Sequence, residues 1–207
     1  MIEDRELFEV CEYNPDDSCV FCKVREDFGG LSNMSNAFPI CINGVQMRNS
    51  EAFYQACRYP MNIEAQEKII NRNSGFWSKI ASKAYRNDTR NDWDEVRVAI
   101  MRYVLKVKLA QNFSTFGALL ESTGTRPIVE LSRRDPFWGA QRNKETSILR
   151  GQNVLGKLLC ELREEFVNSS AESREAMRYV PPLDIPNFLL YGEAIQAIGE
   201  LPVDLEQ

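Results

Sequence analysis

The chain has 207 residues, 25 Lys plus Arg against 30 Asp plus Glu, no histidine and a net charge of −5. Without an imidazole it cannot build a Ser-His-Asp or Cys-His hydrolytic centre, an HExxH metalloprotease or a His-rich metal site, so catalysis falls to carboxylates, lysines, tyrosines or backbone groups. With 43% hydrophobic and 27% charged residues it reads as one globular domain, and its acidity argues against a surface that coats nucleic acid broadly while allowing a local basic groove.

The opening MIEDRELFEV is acidic and lacks the basic and apolar regions of a signal peptide, and no run approaches the roughly 18 apolar residues of a membrane span. A cytoplasmic protein with no membrane association is expected. Residues 1–18 read as an N-terminal arm, ending in the turn-forming Asn14-Pro15-Asp16-Asp17-Ser18. The six cysteines are scattered, and reduced thiols are expected. Only Cys19 and Cys22 form a CxxC pair, and a zinc site would have to recruit Cys11 and Cys41. Small half-buried side chains are the plainer reading, so neither metal nor cofactor is expected.

Phe38 to Ile42 and Val45 to Met47 flank Asn43-Gly44, which predicts a β-hairpin. Ser50 is placed to cap a helix over Glu51 to Tyr59, stopped by Pro60. Further helices are predicted over Ile63 to Asn71 and Phe76 to Tyr85, separated by Asn73-Ser74-Gly75. Asp92 and Glu95 stand at capping-box spacing before the longest periodic run, in which Val96, Ile100, Tyr103, Val104 and Val107 share a face. A short helix over Thr115 to Glu121 and a strand over Pro127 to Leu131 follow. The segment Ser132 to Gly151 reads as a loop, long enough to suggest function. Asn153 to Phe166 carries Val154, Leu155, Leu158, Leu159, Leu162 and Phe166 at helical spacing. The tail, 168–207, is proline-punctuated around Asn187 to Gly192 and is expected to strap across a domain spanning 19–167.

Four clusters could carry chemistry. Gly29-Gly30-Leu31-Ser32-Asn33 could cradle a phosphate with backbone amides, although a two-glycine turn is more often structural. Glu51 could act as an acid or base, but a first-turn carboxylate is also what the helix dipole favours. Lys79 and Lys83, four apart, could share a helical face and lower each other's pKa, although such lysines are usually solvated. Trp93 and Trp138 could stack on a flat ring, or simply fill the core.

The order Phe-Gly-x-Leu-Ser-Asn, Asn-Gly hairpin, Ser-Glu-x-x-Tyr-Gln-Ala, Asp-Trp-Asp, Ile-Val-Glu, Asp-x-Phe-Trp-Gly and Gly-x-Asn-Val-Leu-Gly resembles the NADAR superfamily from Val20 to Phe166. The resemblance implies a compact single α+β domain, predominantly helical with a few short strands, that cleaves N-glycosidic bonds. One branch of that family acts on phosphoribosylated riboflavin-pathway intermediates. Another removes ADP-ribose from guanine in DNA, as antitoxin to a guanine-specific DNA ADP-ribosyltransferase. Riboflavin-type members usually carry His after the glutamate and Lys where Arg58 stands, so Ala52 and Arg58 resemble the second branch. The resemblance implies Glu51 and Asp135 as the catalytic carboxylates and Lys83, then Lys79, as a lysine that could trap ring-opened ribose as a Schiff base. For substrate it implies Gly29, Gly30, Leu31, Ser32, Asn33, Gln55, Arg58, Trp93, Trp138, Gly139 and Asn153. Lys79, Lys83, Arg86, Arg90, Arg133, Arg134 and Arg142 could line a basic mouth for a strand, or form a solvated face. The rival readings are a riboflavin-pathway N-glycosidase and a non-catalytic ADP-ribose-binding module.

Overall fold

The computed structural model describes residues 4–201. The first three residues of the arm and the end of the tail from Pro202 lie outside the described residues. In chain order the elements are α1 (Asp4–Leu7), β1 (Cys11–Tyr13), β2 (Cys19–Phe21), β3 (Ile40–Ile42), β4 (Val45–Met47), α2 (Ser50–Ala56), α3 (Ile63–Ile70), α4 (Gly75–Ser82), α5 (Trp93–Gln111), α6 (Phe113–Ser122), β5 (Ile128–Glu130), β6 (Gln141–Arg142), β7 (Leu149–Gly151), α7 (Val154–Asn168), α8 (Ala171–Ala176), β8 (Leu189–Leu190) and β9 (Glu193–Ala194). This is the α+β class expected, mainly helical with short strands. Among the described residues no helix is long and apolar enough to cross a membrane. Two compact units emerge, one from residues up to 32 with 117–169, the other from 33–116 with the segment after 169.

In the first unit β2 pairs in parallel with β5, Cys19 opposite Ile128 and Phe21 opposite Glu130. A second sheet runs β1-β7-β6, all antiparallel, so part of the acidic opening stretch and part of the predicted 132–151 loop are strands. The predicted apolar stripe of α7 is buried throughout. Gly156 is required where α7 crosses β5, because a Cβ there would stand 2.1 Å from the Ile128 carbonyl oxygen. Asn153, in the left-handed region at φ 51°, completes that junction. Its Nδ2 donates to Ile128 O at 2.9 Å and its Oδ1 accepts from Glu130 N at 3.1 Å, so the side chain serves as a strand partner for β5.

In the second unit the β3–β4 hairpin turns on Asn43 (φ 49°) and Gly44 (φ 78°), as the Asn-Gly pair predicts. Gln111 at the end of α5 grips β3 with both side-chain atoms, Oε1 accepting from Cys41 N and Nε2 donating to Cys41 O, each at 2.7 Å. The predicted α5 face is buried. Two predicted caps differ. Asn49, not Ser50, caps α2, its Oδ1 accepting from Ala52 N at 3.0 Å, because the Ser50 hydroxyl donates to Asn33 Oδ1 at 2.9 Å instead. Asp92 precedes α5 without capping it, because both its oxygens pair with Arg90 at 2.6 and 2.9 Å. The segment after α8 lies along this unit: Phe188 packs edge-on against Tyr103 at 5.1 Å, and Gln66 bonds both Leu189 O and Tyr191 N.

Lys108 on α5 is fully buried, its Nζ 4.4 Å from the ring centroid of Phe116 and 5.3 Å from that of Phe38. Burial disfavours the ammonium and brings its pKa down to about 7. Between about pH 7 and the unfolded value near 10.4 the unfolded chain binds more protons at this group, so its contribution to stability rises with pH. Denaturant unfolding of the wild type and Lys108→Met from pH 6 to 9 checks this. The stability of the wild type relative to the variant is expected to increase by roughly 1.4 kcal/mol per pH unit above pH 7 and to be flat below it.

Candidate functional site

All seven residues of α2 are buried, including Ser50, Glu51 and Gln55. A helix with no exposed side must hold its polar groups by specific bonds or use them. Ser50 is held by Asn33, whose Nδ2 reaches Met101 Sδ at 2.9 Å and whose carbonyl accepts from Glu51 N at 2.9 Å. The Phe-Gly-x-Leu-Ser-Asn motif therefore ends in a residue that fixes the first turn of α2. Glu51, 6% exposed, stands in that turn, where the helix dipole favours its charge. Its Oε1 accepts from Gln55 Nε2 at 2.9 Å, and Gln55 Oε1 accepts from Ser82 Oγ at 2.8 Å. A three-member relay thus orients the carboxylate from α4.

Helix α4 approaches α2 through Gly75. A Cβ there would fall 2.6 Å from Met34 Cα and 3.0 Å from Glu51 Cβ, so only glycine permits the contact. Lys79 is one turn further along the face that holds Gly75 and Ser82, and it is half-buried. Lys83 differs from its predicted place on that helix. Helix α4 ends at Ser82, and Lys83 opens the 3₁₀ turn Lys83–Asp88 as an exposed side chain. The two lysines therefore do not continue one α-helical face.

One turn along α2 from Glu51 is Tyr54. Its phenol is held well above the ordinary tyrosine range, first by burial and then by the Glu51 carboxylate, against the pull of Arg97 and Arg58. The Tyr54 ring meets Trp93 at 5.2 Å between centroids, and the Arg58 guanidinium carbon lies 5.0 Å from the Trp93 centroid. Trp93 is thereby buried as a wall of the site rather than an open stacking face. Arg58 Nη2 donates to Thr89 Oγ1 at 3.5 Å, whereas its buried Nε meets no acceptor among the described residues. A partly exposed guanidinium anchored on an aromatic ring suits a phosphate oxygen. Tyr54 and Ser82 are not among the residues predicted for the site. The i, i+3 spacing of Tyr54 from Glu51 is the available signal, whereas the Ser82 contact depends on how α4 packs.

The other predicted site residues lie in the first unit. Gly29, Gly30 and Leu31 form a 3₁₀ turn followed by Ser32, and a Cβ on Gly29 would be 2.4 Å from Lys23 O. Asp135 Oδ1 accepts from Phe137 N at 3.1 Å and Trp138 N at 3.0 Å, so this carboxylate builds the turn that presents Trp138. Trp138 packs edge-on against Phe137 at 4.9 Å and is half-buried. Gly139 runs against β5, where a Cβ would be 2.4 Å from Glu130 O. Arg133, Arg134 and Arg142 are exposed in this unit. Cys19 is buried with its thiol donating to Thr123 O at 3.6 Å, whereas Cys22 is exposed, so the CxxC pair is divided by its surroundings.

The geometry finds counterparts among known proteins. Over 149 residues the chain is 32% identical to the N-glycosidase YbiA of Shigella boydii, covering 70% of this chain and 86% of that protein. Over 186 residues it is 28% identical to a riboflavin biosynthesis protein of Vibrio vulnificus, covering 87% of this chain but 47% of that one, so the chain spans about half the length of that relative. The solution structure of Escherichia coli YbiA superposes with a TM-score of 0.59 at 30% identity, over 72% of this chain and 84% of that one. The NADAR domain model matches residues 20–167, the stretch that contains Glu51, Arg58 and Asp135, and the chain belongs to the NADAR family.

Proposed function

We propose that the protein is an N-glycosyl hydrolase whose substrate is ADP-ribosylated guanine in DNA. The observation that carries the reading is Glu51, a carboxylate on a wholly buried helix with one oxygen fixed by Gln55. Breaking a ribosyl C–N bond develops positive charge on the sugar, and a preorganised carboxylate in a low-dielectric site stabilises that charge. The bonding pair of the C–N bond leaves with guanine, which takes up a proton, and water supplies the hydroxyl that ends on the anomeric carbon. Alternatively the Lys79 amine bonds that carbon as guanine leaves with the C–N pair, the ring C–O bond opens to a hydroxyl as the imine forms, and water hydrolyses the imine to the sugar aldehyde and the free amine. Lys79 replaces Lys83 as first choice because it lies on the α4 face packed against α2. The names of the YbiA relatives support the hydrolysis of N-glycosyl bonds.

Arg58, a partly exposed guanidinium held over Trp93, supports a substrate rich in phosphate oxygens, and Ala52 and Arg58 depart together from the riboflavin-type pattern. A second reading, an N-glycosidase of phosphoribosylated riboflavin precursors, is favoured by the name of the Vibrio relative. Incubation with guanine-ADP-ribosylated DNA and, separately, with a ribosylated aminopyrimidine phosphate distinguishes them. Free ADP-ribose from the first and no ribose 5-phosphate from the second is expected. The reverse pattern favours the second reading, and release from neither favours a binding module. A DNA ADP-ribosyltransferase is the functional counterpart the proposal implies.

A further inference from the structure

Helix α4 carries an outer face that the site does not use. Phe76 and Trp77 are 55% and 56% exposed, their rings packed edge-on at 5.4 Å, and Ile80, one turn on, is 36% exposed. Two adjacent aromatic rings open to solvent are unusual on a surface with no partner, because large apolar side chains are normally covered. Gly75, the residue before Phe76, is where α4 packs on Glu51, and Phe76, Trp77 and Ile80 stand on the side of the same helix turned away from that contact.

The charge around this pair runs against that of the protein. Over α3, α4 and the turn that follows, residues 63–88, five cations, Lys68, Arg72, Lys79, Lys83 and Arg86, stand against three acids, Glu64, Glu67 and Asp88, in a chain whose net charge is −5. Lys68, Arg72, Lys83 and Arg86 are exposed, and α3, which carries Lys68, packs against α4. Exposed aromatic faces bordered by lysines and arginines are the combination with which proteins hold single strands, since any base stacks on a ring and the phosphates pair with the cations.

We propose that Phe76 and Trp77 form a stacking platform for single-stranded DNA, holding the nucleotides that flank the modified guanine while the ADP-ribosyl group occupies the Glu51 site. This rests on the reading above for its substrate but makes its own demand: the protein binds an unmodified strand through α4. A base lifted from its stack loses stacking energy, and a platform on the same helix for its neighbours returns part of it.

The probe is a fluorescein-labelled oligo(dT) titrated with the full chain at several salt concentrations, alongside turnover of a free ADP-ribosylated guanosine. Phe76→Ala and Trp77→Ala are expected to raise Kd for oligo(dT) by roughly 5- to 150-fold each, and to leave kcat on the free nucleoside unchanged. Arg86→Ala is expected to lower the slope of log K against log salt by about one. Trp77 fluorescence is expected to be quenched on binding. Equal affinity of the wild type and Trp77→Ala for oligo(dT), no binding by the wild type at low salt, or loss of nucleoside turnover in the platform variants overturns the proposal. Binding that depends on Trp77 with no turnover of any ADP-ribosylated substrate upholds the platform and rejects the enzymatic reading instead.

Discussion

Glu51→Gln is expected to lower kcat for release of ADP-ribose from ADP-ribosylated guanosine by about 10²- to 10³-fold, the loss seen when one preorganised stabilising group is removed. The substitution is nearly isosteric, and the side-chain amide carbonyl it introduces can still accept from Gln55 Nε2, so α2 and its packing are expected to persist. KM should change little, because the carboxylate acts on charge that develops only in the transition state. A second readout separates lost charge from lost structure. The Glu51 carboxylate is one of the causes that raise the Tyr54 phenol, so Tyr54 should titrate lower in Glu51→Gln while remaining elevated by burial. A variant with unchanged turnover and an intact fold would remove Glu51 from the chemistry.

Lys79→Ala is expected to lower kcat by at least about 10²-fold, the scale of a lost acid–base group, and to abolish any adduct trapped by borohydride during turnover. Lys83→Ala is expected to retain the adduct. The asymmetry follows from α4 ending at Ser82: Lys79 is on the helix face that also presents Ser82 to Gln55, and Lys83 is beyond the last turn and exposed. Trapping on Lys83 but not on Lys79 would reverse this assignment. Absence of an adduct on either, with activity intact, would leave direct attack by water on a sugar stabilised by Glu51.

The parts of the structure that depend on local spacing are readable in the sequence. The Asn43-Gly44 turn follows from two residues that tolerate positive φ, and the stripes of α5 and α7 follow from apolar residues at helical period. The two caps depart from expectation for one reason: Ser50 and Asp92 have the right chemistry, but Asn33 and Arg90 compete for them, and tertiary partners are invisible in local pattern. The same limit applies to the site. A motif proposes Glu51 and Arg58, whereas Gly75, which sets the α2–α4 approach, and Ser82, which completes the Gln55 relay, are defined only by packing. Strands β6 and β7 are two and three residues long with polar members, below the length at which alternation carries information.

The absence of histidine also gains a physical meaning. The position after Glu51 is Ala52, buried at 1% exposure, and the polar side chains nearest along α2 are Gln55, Tyr54 and Arg58. With no histidine in the chain, the pH dependence of activity is expected to show no imidazole transition near neutrality.

On the proposed function the chain cleaves the C–N bond that joins ADP-ribose to guanine and leaves the bond joining guanine to deoxyribose intact. The intact mass of a single-stranded oligonucleotide carrying one ADP-ribosylated guanine tests this directly. After incubation with the wild type, the strand is predicted to lose one ADP-ribosyl group and regain the mass of its unmodified sequence, with no change in the presence of Glu51→Gln. An unaltered mass, or a strand that has lost the guanine as well, would contradict it.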